Sequence, residues 1–129
     1  MRYEDVKDYI HLQDMIQARC EEVCGLLTPL NDSYRYLTDF EINLDTDEIW
    51  GEGDEYLGYG ESDLHSAKFP LSFLWKDDEE IKQYVEDELK KREQEKETER
   101  LRIKKIQEEF QEKRDREEYE RLKSKFGGV

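Results

Sequence analysis

Between Arg35 and Lys68 this chain has no basic residue, while ten acidic residues fall in the same stretch. A segment of that kind repels phosphate backbones and anionic membrane surfaces. Nucleic acid is therefore not expected as a direct ligand, and a basic protein surface is the natural complement. Long apolar runs are also missing. None approaches the ~20 residues that a membrane span requires. The start, Met1-Arg2-Tyr3-Glu4-Asp5, lacks the apolar stretch of a secretory signal. An intracellular, cytoplasmic location is the expectation.

The chemistry-bearing residues are scarce. Cys20 and Cys24 are the only cysteines, four apart on a predicted helix. That spacing fits reduced thiols among apolar neighbours rather than a disulfide or a zinc site. The only histidines, His11 and His65, have no metal-ligand or nucleophile motif around them. Ser62, Asp63, His65 and Ser66 are close in sequence, but adjacency is not triad geometry. Asp45-Thr46-Asp47 begins like a calcium loop, yet Ile49 and Trp50 stand where a ligand and a glycine are needed. Gly51-Glu52-Gly53-Asp54 puts acids where a phosphate cradle would need to attract anions. No catalysis, metal or cofactor is expected.

Charge is what the chain does have. Residues 80–129 hold 15 acidic and 15 basic residues, whereas residues 1–79 hold 20 acidic and six basic ones, the whole net charge of −14. The chain reads as an acidic, aromatic-rich α+β head over 1–79, a charge-balanced helix over 80–126 and a flexible end at 127–129. The same acidity is a common route to solubility.

Val6, Tyr9, Ile10, Gln13, Ile16, Cys20, Val23 and Leu27 recur at three- and four-residue spacing and predict a helix over 4–26, stopped by Gly25 and Pro29. Phe40, Ile42 and Leu44 alternate with polar residues and predict a strand over 36–44. Asp45-Thr46-Asp47 then turns the chain into Glu48-Ile49-Trp50, giving an antiparallel hairpin. Gly51–Gly60 reads as a looser stretch. Phe69–Trp75 reads as a further strand, at an edge because Pro70 cannot donate to a ladder. Asp77 and Glu80 give a capping-box start to the final helix, which reads to about Lys125. Its acid-first pairs four residues apart, such as Glu86–Lys90 and Glu112–Arg116, support a solvated helix. The heptad pattern is too broken for a regular two-stranded coiled coil. Ile103, Ile106 and Phe110 nevertheless form a stripe for a partner helix or a second copy, making a homodimer one expectation. The fold expected is an N-terminal helix on a small antiparallel sheet, followed by a long charged helix.

If Phe40, Ile42 and Leu44 face the core, Asp39 and Glu41 line the opposite face, and Asp45, Asp47 and Glu48 continue the charge through the turn. Neighbours on one face of a strand lie ~6.6 Å apart, close to the spacing of successive phosphates. Asp39, Glu41, Asp45, Asp47, Glu48, Glu52, Asp54 and Glu55 are the candidate charges. Trp50, Tyr56 and Tyr59 are the candidate aromatic anchors. The alternative is an ordinary solvated sheet face.

Ile42–Trp50, His65-Ser66 leading to Phe69-Pro70-Leu71, the acidic helix start at Asp77–Glu80, the Glu/Lys/Arg-rich tail and the closing Tyr119–Gly127 carry a resemblance. From Phe40 onward the chain resembles small, mostly uncharacterised acidic proteins encoded by phages and prophages of Gram-positive bacteria. The resemblance implies a phage setting in a bacterial host cell. By analogy of class it implies an inhibitor of a host nucleic-acid-acting enzyme, of the anti-CRISPR or anti-restriction kind. The rival expectation is a structural or assembly protein acting through helix–helix association of the tail.

Overall fold

The computed structural model describes residues 1–127. Positions 128–129 of the expected flexible end lie outside the described residues. The elements run α1 (Tyr3–Leu27), a 3₁₀ helix (Asp32–Tyr36), β1 (Asp39–Asn43), β2 (Glu48–Gly58), β3 (Glu61–Pro70), a second 3₁₀ helix (Leu71–Leu74) and α2 (Asp78–Gly127). The three strands form one antiparallel sheet in the order β1-β2-β3. This is the α+β arrangement that the periodicities predict. No described helix is long and apolar enough to cross a membrane.

The chain divides into two compact units, residues 1–89 and residues from Lys90 onward. The first α2 turns thus belong to the head, where Ile81 and Val85 are buried. That boundary changes the charge division. The first unit has 24 acidic and seven basic residues, and the second has 11 acidic and 14 basic ones, so the acidic head is joined to a mildly basic tail.

The core of the first unit is small. Cys20, Val23 and Leu27 of α1 meet Ile49 and Phe69 of the sheet, with Leu37, Phe73, Ile81 and Val85 closing the sides. Each of these large apolar side chains contributes about 1.5–3 kcal/mol by leaving water. Burial pushes the Cys20 thiol up to about 11 and the Cys24 thiol up to about 12. Both therefore stay protonated, as small hydrophobes, near neutral pH.

Several boundaries differ from the sequence reading. Helix α1 runs past Gly25 and ends at Leu27, where the Thr28 hydroxyl donates to the Cys24 carbonyl at 2.9 Å. Residues 32–36 coil into a 3₁₀ turn capped by Asn31, whose side chain accepts the Ser33 N–H at 3.0 Å, so β1 begins only at Asp39. Gly51–Gly60 is strand and turn. The glycines in β2 are there for contact. A Cβ on Gly51 would come within 2.7 Å of Leu37 Cδ1, and one on Gly53 would overlap the Tyr36 carbonyl. Close approach of the 3₁₀ turn thus requires the residue type that normally signals a strand break.

The strand expected over Phe69–Trp75 is absent beyond Pro70. There the chain turns into 3₁₀, and the Leu71 N–H donates to the Asp47 carbonyl at 2.9 Å. Phe73 is thereby buried, stacked 6.4 Å from Phe69 and edge-on to Tyr84 at 5.2 Å.

Arg19 fixes the start of α2 onto α1. Its guanidinium donates to Asp78 Oδ1 at 2.6 Å, to Glu22 Oε2 at 2.9 Å, and to the carbonyls of Lys76 at 2.7 Å and Leu74 at 3.2 Å. In the tail, Glu97–Arg100 and Glu99–Arg102 close at 2.6 Å each, three residues apart, a spacing that the four-residue reading does not include.

Candidate functional site

Strand parity sorts the candidate residues onto two faces. Ile49, Gly51 and Gly53 are buried, whereas Trp50, Glu52 and Asp54 between them are exposed. The inner face packs on α1, and the outer face meets solvent.

On the outer face Asp39 pairs with Glu52, and Glu41 with Trp50, across the β1–β2 ladder. Trp50 in turn pairs with Lys68, and Asp54 with Leu64, across β2–β3. Opposite residues on one face have Cβ atoms ~4.5–5.5 Å apart, and neighbours along a strand recur at ~6.6 Å. Asp39, Glu41 and Glu52 therefore surround the half-exposed indole of Trp50, and Asp54 lies about 13 Å from it along β2. None of the four has an ion-pair partner among the described residues. Glu48 does, since Lys68 Nζ lies 3.5 Å from its carboxylate. Asp45 and Asp47 sit in the turn that follows β1. Asp47 takes a left-handed backbone at φ 52°, which aspartate tolerates better than most residues.

Ile42 and Leu44 are not core residues. Ile42 is 42% and Leu44 73% exposed, because β1 is a short edge strand. Phe40 alone of that trio packs against the core.

The aromatic anchors do not form one cluster. Tyr56 lies on the outer face six residues beyond Trp50, about 20 Å along the strand. Strand β1 pairs only as far as Glu52, so residues 53–58 pair with β3 alone. Tyr59 is fully exposed at the hairpin tip, where Gly58, Tyr59 and Gly60 all have positive φ (91°, 54° and 77°). A tyrosine held at positive φ is strained unless its surroundings enforce it.

Glu55 belongs to the inner face. Its carboxylate lies 2.8 Å from His65 Nε2, and His65 Nδ1 lies 2.9 Å from Ser33 Oγ. Tyr36 stacks on the imidazole with ring centroids 4.6 Å apart. The hydrogen bond from His65, and then one from the Tyr36 hydroxyl, hold the Glu55 carboxyl below the usual carboxylate range. The bond to Glu55 raises the Tyr36 hydroxyl in turn. The sequence reading groups Glu55 with the acidic patch and gives His65, Ser33 and Tyr36 no role. Only the strand parity of β2 would have separated Glu55 from its neighbours.

This Ser33–His65–Glu55 chain has the residue types of a hydrolytic relay. Its visible effect is to fasten the 3₁₀ turn to the β2–β3 hairpin. The Ser33 N–H, the donor nearest the hydroxyl, is already engaged by Asn31. Among the described residues, no group of three or more His, Cys, Asp or Glu side chains is placed to hold a metal ion.

In the tail, Ile103, Ile106 and Phe110 are each about half exposed. No known protein family, curated protein or solved structure matches the chain.

Proposed function

We propose that this chain is a non-catalytic, phage-type protein that binds and inhibits a nucleic-acid-acting enzyme of the host cell. The outer face of its sheet would occupy the enzyme's basic groove. The observation that carries this reading is the pairing of Asp39 with Glu52 on an outer face whose one lysine, Lys68, lies against Glu48 instead. Like charges placed directly opposite each other on a sheet cost stability. A surface optimised for solubility alone intersperses both signs.

The patch offers carboxylates at intervals close to those of phosphates along one strand, with an indole in their midst. A groove lined by lysine and arginine would meet the former. The face of Trp50 would stack on a guanidinium or fill a base-sized slot, and buried aromatics dominate interface energies. Asp45 and Asp47 extend the charge past the turn, while Glu55 takes no part. Tyr56 and Tyr59 act at the hairpin tip, as a second point of contact.

The test is an affinity pull-down from bacterial lysate with the full chain and with the double variant Asp39→Lys, Glu52→Lys. The wild type should retain a nucleic-acid enzyme that is released by high salt, and the variant should not. Equal capture by both would overturn the reading.

A second reading, assembly through the tail, rests on the exposed stripe of Ile103, Ile106 and Phe110. Under that reading, replacing Ile103 and Ile106 by serine dissociates the assembled species, a change that leaves the acidic face untouched.

A further inference from the structure

Strand β1 is an edge of the sheet. It pairs with β2 on one side, and no strand lies on the other. The free edge of a strand presents unpaired N–H and C=O groups, a template for another extended chain. This edge is short, but it has no proline, bulge or lysine to block pairing. Its charged residues are Asp39 and Glu41, which repel an acidic strand and attract a basic one.

The two faces of β1 differ in chemistry. Phe40 and Ile42 lie opposite Gly51 and Ile49, on the inner face. Ile42 is nevertheless exposed, because no strand flanks it. An open cavity of about 390 Å³ separates this side of β1 from Tyr9 and Ile16 of α1. Asp39 and Glu41 lie on the outer face, and neither has an ion-pair partner among the described residues. A strand added at the edge would place successive side chains on alternate faces, with Cβ atoms ~4.5–5.5 Å from those of their β1 neighbours. The register thus fixes what such a strand must carry. Apolar side chains are needed opposite Phe40 and Ile42, and basic ones opposite Asp39 and Glu41. In this chain that alternation occurs at Arg100-Leu101-Arg102-Ile103-Lys104, whose main chain is committed to α2. The added strand therefore belongs to another protein.

We infer that β1 accepts a fourth strand from a basic protein partner, an extended segment in which basic and apolar side chains alternate. Main-chain hydrogen bonds along the edge supply affinity, and the alternation supplies specificity. The basic side chains meet Asp39 and Glu41, while the apolar ones cover Phe40 and Ile42 and fill the space below α1. This inference rests on the reading of the outer face as a site for a basic protein, and it names the kind of segment that docks beside that face.

Fluorescence anisotropy with the full chain tests it. The probes are a labelled peptide of alternating arginine and valine, and a second peptide with the same residues in two blocks. The alternating peptide should bind about tenfold more tightly than the block peptide, the margin of one well-buried apolar side chain. Its binding should also slow amide hydrogen exchange along Phe40–Asn43. Glu41→Lys on the outer face and Ile42→Ser on the inner face should each weaken it about tenfold, and circular dichroism checks that both stay folded. The comparison of the two peptides on the wild type does not depend on either variant. Equal binding of both peptides, or binding that leaves exchange along β1 unchanged, would overturn the inference. Salt-sensitive capture of a nucleic-acid enzyme by a chain that ignores the alternating peptide would overturn this inference and spare the acidic-face reading. Peptide binding without any such capture would do the reverse.

Discussion

Asp39 and Glu52 face each other across the β1–β2 ladder, on the same side of the sheet, and neither has an ion-pair partner among the described residues. Their repulsion predicts a trade between stability and binding. Glu52→Gln should raise the stability of the protein by about 0.2–1 kcal/mol at low salt, the range for cross-strand pairs. The gain should shrink as salt screens the wild-type pair. Urea denaturation at two ionic strengths measures it. A loss of stability in Glu52→Gln would show that these carboxylates are held by favourable contacts.

Arg19 predicts the opposite sign. Its fork spans α1, the second 3₁₀ helix and the first residue of α2, so a single point charge cannot replace it. Arg19→Lys should cost about 1.5–3 kcal/mol, the scale of hydrogen bonds to charged groups in protected positions. Thermal unfolding of the full chain would reveal the loss. An unchanged midpoint would mean that the helices are held by apolar packing alone.

The two buried glycines of β2 separate by what they touch. A methyl at Gly51 meets the flexible ends of Leu37 and Phe40. At Gly53 it meets the Tyr36 carbonyl, which is backbone. Gly53→Ala should therefore reach or exceed the top of the roughly 1–3 kcal/mol range for overpacking, and Gly51→Ala should fall near its bottom. Chemical denaturation of both variants, side by side, gives the order. Equal costs would contradict the close approach of the 3₁₀ turn.

Glu55 links stability to pH. His65 and Tyr36 hold its folded carboxyl below the unfolded value, which is near 4.3. A depressed carboxyl contributes stability that is present above its unfolded pKa and lost as pH falls through its folded pKa. The part of the stability difference between wild type and Glu55→Gln that rests on the ionised carboxylate should be present above the unfolded value of about 4.3 and fall away as pH drops below it. Asp32 and Arg35 also act on Tyr36 and are common to both proteins, so they cancel in the comparison. A difference that persists unchanged in strong acid would remove the ionised Glu55 from the latch.

Both helices and the hairpin at Asp45–Asp47 were legible in the sequence, because their apolar spacing and turn chemistry agree with the final packing. The second hairpin was not. Gly51, Gly53, Gly58 and Gly60 look like loop punctuation, yet the first two lie in a strand because the 3₁₀ turn presses on them. Once β2 is misread as loop, its alternation is invisible, and Glu55 cannot be told from Glu52 and Asp54. Pro70 reads in the sequence as a mark of an edge strand running on to Trp75, yet pairing stops there, and the apolar residues after it belong to a 3₁₀ turn that buries Phe73. The carboxylates proposed along β1 do share a face, since Asp39 and Glu41 keep strand parity whichever residues cover the other side.

The most direct test of the acidic face is competition. A pull-down complex between the full chain and its captured enzyme should be titrated with a short DNA or RNA oligonucleotide that the enzyme binds. If the face of Asp39, Glu41, Glu52 and Trp50 occupies the nucleic-acid groove, the oligonucleotide will displace the protein, and the protein will displace the oligonucleotide in the reverse titration. A ternary complex holding both at once would contradict the account.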